Sequence, residues 1–372
     1  MQKIVIPEAL QIVIDDLGWV NGKDDRENGG SSRTGMPRKH CYLDYEAIEM
    51  LGRELDQQIF CAFVVGEWDP DNRLAKFERL SKYGKEWNNK AYLDQDEMTR
   101  VAEVVRNSKY IDLALHGVYH GYYAEFVDNT DLSDYYYSEK KVRKMVDEGE
   151  IRARLDAFFS ILDYYGIKKQ VTAFVPPSGA YRYNELSYIL ADYGIKYIST
   201  PFRFMNCESC EKPEYIDIED SGVITFQREK DLTKWDSCTV DFDNMPTRCD
   251  TFGSHWPNFL DADPAKNIER VSAAVRYFKR CSENIGCVLS KNARFAASQG
   301  LYFKYAKTNT QDGVTYIDIS DVPRHKNADV EFYVNAESPL SEWQGCDVEE
   351  YCKKKGFVTY KITPKADVIT LK

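Results

Sequence analysis

The sequence predicts an α/β fold, a distorted (β/α) barrel of about seven parallel strands with a small C-terminal antiparallel β appendage. Three features point there. From Leu10 to about Gly286, short apolar runs rich in β-branched residues alternate with amphipathic helical stretches. Parallel strands joined by helices need both sheet faces covered, and a chain of this length most simply closes such a sheet on itself. Past about residue 300 the alternation gives way to strand-like runs around a turn signal, Gln311-Asp312-Gly313. The chain therefore divides into residues 1–299, the barrel, and residues 300–372, the β region.

In order, LQIVI is a strand and DYEAIEMLGRELDQ a helix; IFCAFVVG is the second strand, and after a polar region DEMTRVAEVVRNS is the second helix. YIDLAL is followed by a long polar–apolar helix over about residues 138 to 165, then by VTAFVP and the helix NELSYILADYG. KYIST, SGVITFQ and TFGSHW are further strands, and a helix crosses residues 265 to 285. The last part contributes YFKYAKTNTQDGVTYIDIS, EFYVNA and FVTYKITPKADVITL as strands. The polar stretch GKDDRENGGSSRTGMPRKH is too long for a tight turn and reads as an active-site loop.

Composition narrows the function. The 60 acidic against 49 basic residues give a net charge of -11, and no Lys/Arg cluster interleaves with aromatics, so nucleic acid is not an expected partner. No window approaches the apolar length of a membrane span, and the start MQKIVIPEALQ has no export-signal pattern, so no membrane association is expected. Ten cysteines dispersed over a long chain suit reduced thiols in a cytoplasm, with secretion as the alternative if an export signal has been removed. Cys207 and Cys210 form a CxxC that Cys238 and Cys249 could complete as a structural zinc site, on unequal gaps.

In a β/α barrel the catalytic groups come from the carboxyl ends of the strands, because the loops leaving that rim converge. Four such ends carry polar residues here: Asp15-Asp16 after LQIVI, His116 after YIDLAL, Pro176-Pro177-Ser178 after VTAFV, and His255 after the TFGS run. His116 and His120 are two of only five histidines, and the HxxxH spacing would let both imidazoles face one divalent ion from a helical turn. Asp15 and Asp16 can address one site only if the strand ends or bulges there, which Leu17-Gly18 permits. A cation beside them would keep both ionised. His40, in MPRKHCYLDY, is a further candidate on the rim loop.

These residues resemble the polysaccharide deacetylase family (carbohydrate esterase family 4, the NodB-homology group). IVIDDLGW is similar to its TFDDG element, HGVYH to its HSxxH element, FVPPSGAY to its Arg-x-Pro-aromatic segment, and FGSHWPNF to its late histidine motif. Together with RTGMPRKHCYLDY, GEWDPDN and STPFRFM, they resemble most closely the catalytic domains that deacetylate terminal N-acetylgalactosamine of blood group A glycans. The resemblance implies that Asp16, His116 and His120 hold the metal, Asp15 is the general base and His255 the general acid. Where many members carry an arginine that orients the base, this chain has Phe174-Val175-Pro176, leaving the role empty or to Arg33, Arg38 or Arg182.

Two imidazoles and one carboxylate leave positions open on a divalent ion, as catalysis requires. Zinc is the first expectation, with cobalt or nickel admitted by the same ligand types. The expected reaction is hydrolysis of an N-acetyl group on an amino sugar, N-acetylgalactosamine or N-acetylglucosamine, of a carbohydrate substrate, releasing acetate. Trp68, Tyr119, Tyr122, Tyr123 and Trp256 could stack on sugar rings; Glu67 and Asp69 could accept from hydroxyls; Pro177, Ser178 and Asn258 complete the expected substrate contacts. Hydrolysis of a non-sugar, cyclic amide, a non-catalytic carbohydrate-binding relative and an iron oxygenase are the competing readings.

Overall fold

A computed structural model describes residues 3–22, 35–81, 83–121, 133–139, 142–206, 213–228, 230–238 and 240–371. The elements that position the site are β1 (Ile12–Leu17), α1 (Tyr42–Leu55), β2 (Ile59–Phe63), α2 (Gln95–Asn107), β3 (Ile111–Leu115), α3 (Glu148–Tyr164), β4 (Ala173–Phe174), α4 (Leu186–Asp192), β5 (Tyr197–Thr200), β6 (Ile216–Ile218), β7 (Ile224–Gln227), β8 (Lys230–Asp231), β9 (Phe252–His255), α5 (Asn267–Cys281) and α6 (Ala293–Tyr305). The nine strands form one sheet in the order β6-β7-β5-β4-β3-β2-β1-β9-β8. Every neighbouring pair is parallel except β6 with β7.

This sheet is curled. β7 and β1 stand five places apart, about 24 Å across a flat sheet at about 4.8 Å per strand. Yet Arg228, the residue after β7, bonds Asp15 on β1 at 2.6 Å. β7 and β8 are separated by two residues of chain but lie near opposite ends of the strand order. Among the described residues, however, no ladder joins β6 or β7 to β8. The expected closed barrel is therefore an open, curled half-barrel.

The alternation of each strand divides the core in two. Ile12, Ile14, Cys61, Phe63, Leu113 and Leu115 face one side, where they pack with residues of α1, α2, α3 and α5 such as Ile48, Val101, Phe158 and Phe278. Val13, Phe60, Ala62, Ala114 and Ala173 face the other, against Ala297 and Leu301 of α6 and Ile317, Phe332 and Ile362 of the C-terminal strands.

The C-terminal part forms two four-stranded antiparallel sheets, one of which takes in Ile4–Val5 from the chain's start. The hairpin Lys307–Gln311 to Val314–Asp318 turns at Asp312 and Gly313, with φ 52 and φ 80, the positive pair a type I′ turn needs. Residue 299 lies within α6, an element absent from the sequence reading: ARFAASQGLYFKY is buried over Ala293 and residues 295–302, so no polar stripe marks its period. The helix expected from about residue 138 instead begins at Glu148. Before it, Tyr136–Glu139 and Val142–Met145 form a hairpin, and Asp147 caps α3 by accepting from Gly149 and Glu150 N–H. No described helix is long and apolar enough to cross a membrane.

Candidate metal centre

The site begins with a bulge. On β1, Ile14 pairs with Cys61 but Leu17 with Phe63, so one extra residue is accommodated between them. Asp16 takes it up in a left-handed conformation, φ 66. Ordinary pleating would send Asp15 and Asp16 to opposite faces; the bulge turns both toward the carboxyl end of the sheet. Gly18 follows at φ +102, where a Cβ would stand 2.4 Å from the carbonyl oxygen of Val64, so no larger residue fits this return.

Neighbouring strands bring the other groups. β9 runs in register with β1, setting His255 beside Asp15, and His255 Nε2 lies 3.9 Å from Asp16 Oδ2. His116 continues β3, its N–H bonded to Phe63 O, and its Nε2 is 3.3 Å from Asp16 Oδ1. His120 Nε2 is 3.9 Å from that same oxygen. One ligand atom from each of Asp16, His116 and His120 lies within 4.8 Å of the others, and all three residues are buried. The HxxxH segment is not the helical turn expected of it: Gly117 and His120 have φ 80 and φ 60, and a loop aims both rings.

The atoms at the centre could hold a cation. His116 Nδ1 lies 2.7 Å from the carbonyl of Val175 and donates to it, so in the neutral ring Nε2 carries a lone pair. In that form the lone pair faces Asp16 Oδ1, and a divalent ion bound by two imidazoles and a carboxylate would lie between them; with the ring protonated, Nε2–H points at that oxygen instead.

Charge at the site follows from burial and neighbours. Burial pushes the Asp16 carboxyl up, but His116, His255 and His120 outweigh it and hold the pKa at about 2. Burial likewise opposes ionisation of Asp15, and Arg228, His116 and His255 reverse the balance, lowering its pKa. His116 is raised, because Asp15 and Asp16 overcome its desolvation. His120 falls to about 4, since burial prevails over Asp16. Asp16 ionised and His120 neutral are the forms that ligate metal, and His116 gives up its Nε2 proton to join them.

Arg228 is the residue the sequence reading missed. Its Nη1 and Nη2 donate to Asp15 Oδ1 and Oδ2 at 2.9 and 2.6 Å, a fork-to-fork pair between two buried side chains. Arg228 thus makes the contact to Asp15 that the sequence reading left empty or gave to Arg33, Arg38 or Arg182. Arg38 instead pairs with Asp44 at 2.6 Å and Arg182 with Glu185 at 2.8 Å, while Arg33 lies outside the described residues. A signal existed, since Arg228 directly follows the apolar strand SGVITFQ, at the same rim as the other groups.

The structure places the expected substrate residues mostly inside. Trp68 is fully buried and donates from Nε1 to Gly18 O, and Tyr119 packs edge-on against Trp87. Glu67 accepts from the N–H groups of Val20 and Asn21, and Asp69 from Leu74 N–H. Asn258 accepts from His255 N–H and donates to the Lys234 and Ser237 carbonyls, so it fixes the turn that carries His255. Trp256 and Pro177 are buried; Ser178 is half-buried at φ 54. His40 lies in the core with Nδ1 2.8 Å from Tyr45 Oη, and burial drops its pKa to about 4. Tyr122 and Tyr123 lie outside the described residues. Two rings not singled out from sequence stand beside the histidines: Trp19, 5.2 Å from the His120 ring, and Trp235, half-buried and 6.4 Å from the His255 ring.

Cys207 and Cys210 are outside the described residues, and the Cys249 thiol interacts with that of Cys287. Among the described residues, Asp16, His116 and His120 are the one group suited to a metal.

No family model matches the chain, and no curated protein matches it closely enough to count as a relative. Among solved structures, the 4-alpha-glucanotransferase from Thermococcus litoralis aligns at 11% identity with a TM-score of 0.39, covering 76% of this chain and 39% of that one. The chain thus spans well under half the length of that structure.

Proposed function

We propose that this chain is a metal-dependent amide hydrolase that removes the N-acetyl group from an amino sugar of a glycan, releasing acetate. The observation that carries the reading is the contrast between two adjacent carboxylates: Asp16 faces two imidazoles, whereas both oxygens of Asp15 are held by Arg228. A structural metal site would have no use for a second acid held ionised beside it. The motif resemblance to polysaccharide deacetylases supports the same assignment.

A divalent ion held by Asp16, His116 and His120, zinc by ligand type or else cobalt or nickel, would supply Lewis acidity to the acyl oxygen and to the attacking water. Asp15, ionised and fixed in direction by Arg228, takes the proton of that water. His255 stands in register with Asp15 on the neighbouring strand, on the Asp16 Oδ2 side, and hands a proton to the departing nitrogen, since an amine leaves poorly as an anion. Trp235 beside His255 offers an apolar face on which a sugar ring stacks. N-acetylgalactosamine and N-acetylglucosamine glycans are the substrates to try first.

The test is acetate release from a panel of N-acetylated glycans by zinc-loaded protein, with and without a chelator. Release that a chelator abolishes and Asp15→Asn removes supports the reading. No release from any glycan, with release from a cyclic or other non-sugar amide, would replace it by the broader amidohydrolase assignment.

A further inference from the structure

The residues linking the two candidate imidazole ligands are wound around one carboxylate. Tyr119 and His120 N–H each donate to Asp134 Oδ2 at 3.2 Å, Gly121 N–H donates to Oδ1 at 3.1 Å, and Val118 N–H also donates to Oδ2. Asp134 is fully buried. Its main-chain carbonyl accepts from Arg154, itself buried and paired with Glu150, so the segment is anchored from the far side by α3. Gly117 shows how tightly the loop closes: at φ +80, a Cβ there would lie 1.7 Å from Asp134 Oδ2.

Successive N–H groups converging on an anion form a nest, usually filled by a ligand and here filled by a side chain. The nest ends at His120, which adopts φ 60, a conformation a non-glycine residue keeps only when its surroundings enforce it. His120 Nδ1 makes no hydrogen bond to another residue, so the ring is placed by its own backbone together with the Trp19 and His116 rings beside it.

We infer that Asp134 is a positioning residue of the metal centre: its carboxylate templates the loop Gly117–Gly121 and thereby holds His120 where its Nε2 meets Asp16 and His116. This rests on the metal-centre reading above. Asp134→Asn keeps the shape but turns an N–H donor toward N–H donors, so the loop loses its template.

The experiment compares wild type, Asp134→Asn and Asp134→Glu, each stripped with chelator, by zinc affinity in competition with a chromophoric chelator and by the visible bands of the cobalt-loaded protein. Asp134→Asn is expected to weaken zinc binding by about 10–100-fold and to alter the cobalt bands, as removal of groups that orient metal ligands does. Asp134→Glu, which keeps the anion but shifts it by one methylene within the closed loop, is expected to weaken zinc binding by about three- to tenfold. Wild-type affinity and wild-type cobalt bands in a folded Asp134→Asn protein overturn the inference. If that variant does not fold, the same result in Asp134→Glu overturns it. Wild-type protein that takes up neither ion overturns the metal reading itself, a distinct outcome read from the first sample.

Discussion

Replacing Arg228 with methionine removes a guanidinium while keeping much of its volume, and leaves Asp15 buried without its partner. The two bonds of 2.9 and 2.6 Å put the charge centres about 4 Å apart, where a pair interacts by about 4 kcal/mol at an effective dielectric constant of about 20. Breaking one side of a buried pair costs about 3–5 kcal/mol, so both routes give the same size. The pH dependence should change sign. In the native chain the Asp15 pKa lies below its ordinary value, so the pair stabilises above that value and loses its effect as pH falls through the folded pKa. Without Arg228, burial would raise the pKa, and stability would instead fall as pH rises. The assay is urea unfolding of chelator-treated protein at pH 5 and pH 8 for wild type, Arg228→Met, Asp15→Asn and the double variant. The double variant should recover at least about 2 kcal/mol of the Arg228→Met loss, because the stranded charge is gone. A single-variant loss under about 1 kcal/mol, or no recovery in the double variant, refutes the reasoning.

Five substitutions separate the parts of the molecule. His116→Ala should abolish stoichiometric zinc, whereas Asp15→Asn should keep the metal and lose acetate release by about 10²–10⁴-fold; elemental analysis and an acetate assay check both. Gly18→Ala places a methyl against Val64 O in a positive-φ conformation and should cost about 2 kcal/mol or more in urea unfolding; a loss under about 0.5 kcal/mol contradicts the close approach. Asp112, on β3, is raised from 3.8 to about 7 by burial, with Lys169 opposing. Between those values the folded chain holds a proton that the unfolded chain has released, so stability falls as pH rises, and Asp112→Asn should flatten that fall; unchanged slopes between pH 4 and 8 count against it. Trp235→Ala should raise KM for an N-acetylated glycan by about three- to tenfold with little change in kcat, the size of one stacking contact; equal KM values would remove Trp235 from the substrate path.

The sequence by itself determined the alternating α/β order, the β-rich end with its turn at Asp312-Gly313, and the grouping of Asp15, Asp16, His116 and His255 at strand ends. These are local properties: periodicity, turn chemistry and the rule that parallel strands share a functional rim are written in short windows. It did not reveal α6, whose nearly uniform burial erases the helical stripe, or the hairpin before α3, whose polar alternation reads as either element. Tertiary structure alone decided that the sheet curls, with no closing ladder among the described residues, and that Arg228 bonds Asp15, 213 residues earlier in the chain. It likewise decided that the rings of Trp68 and Tyr119 serve the core and that Asp134 sits inside the loop carrying His120. Such pairings join residues far apart in sequence, so no window contains both partners; they arise only when strand twist and helix packing bring distant segments to the same rim.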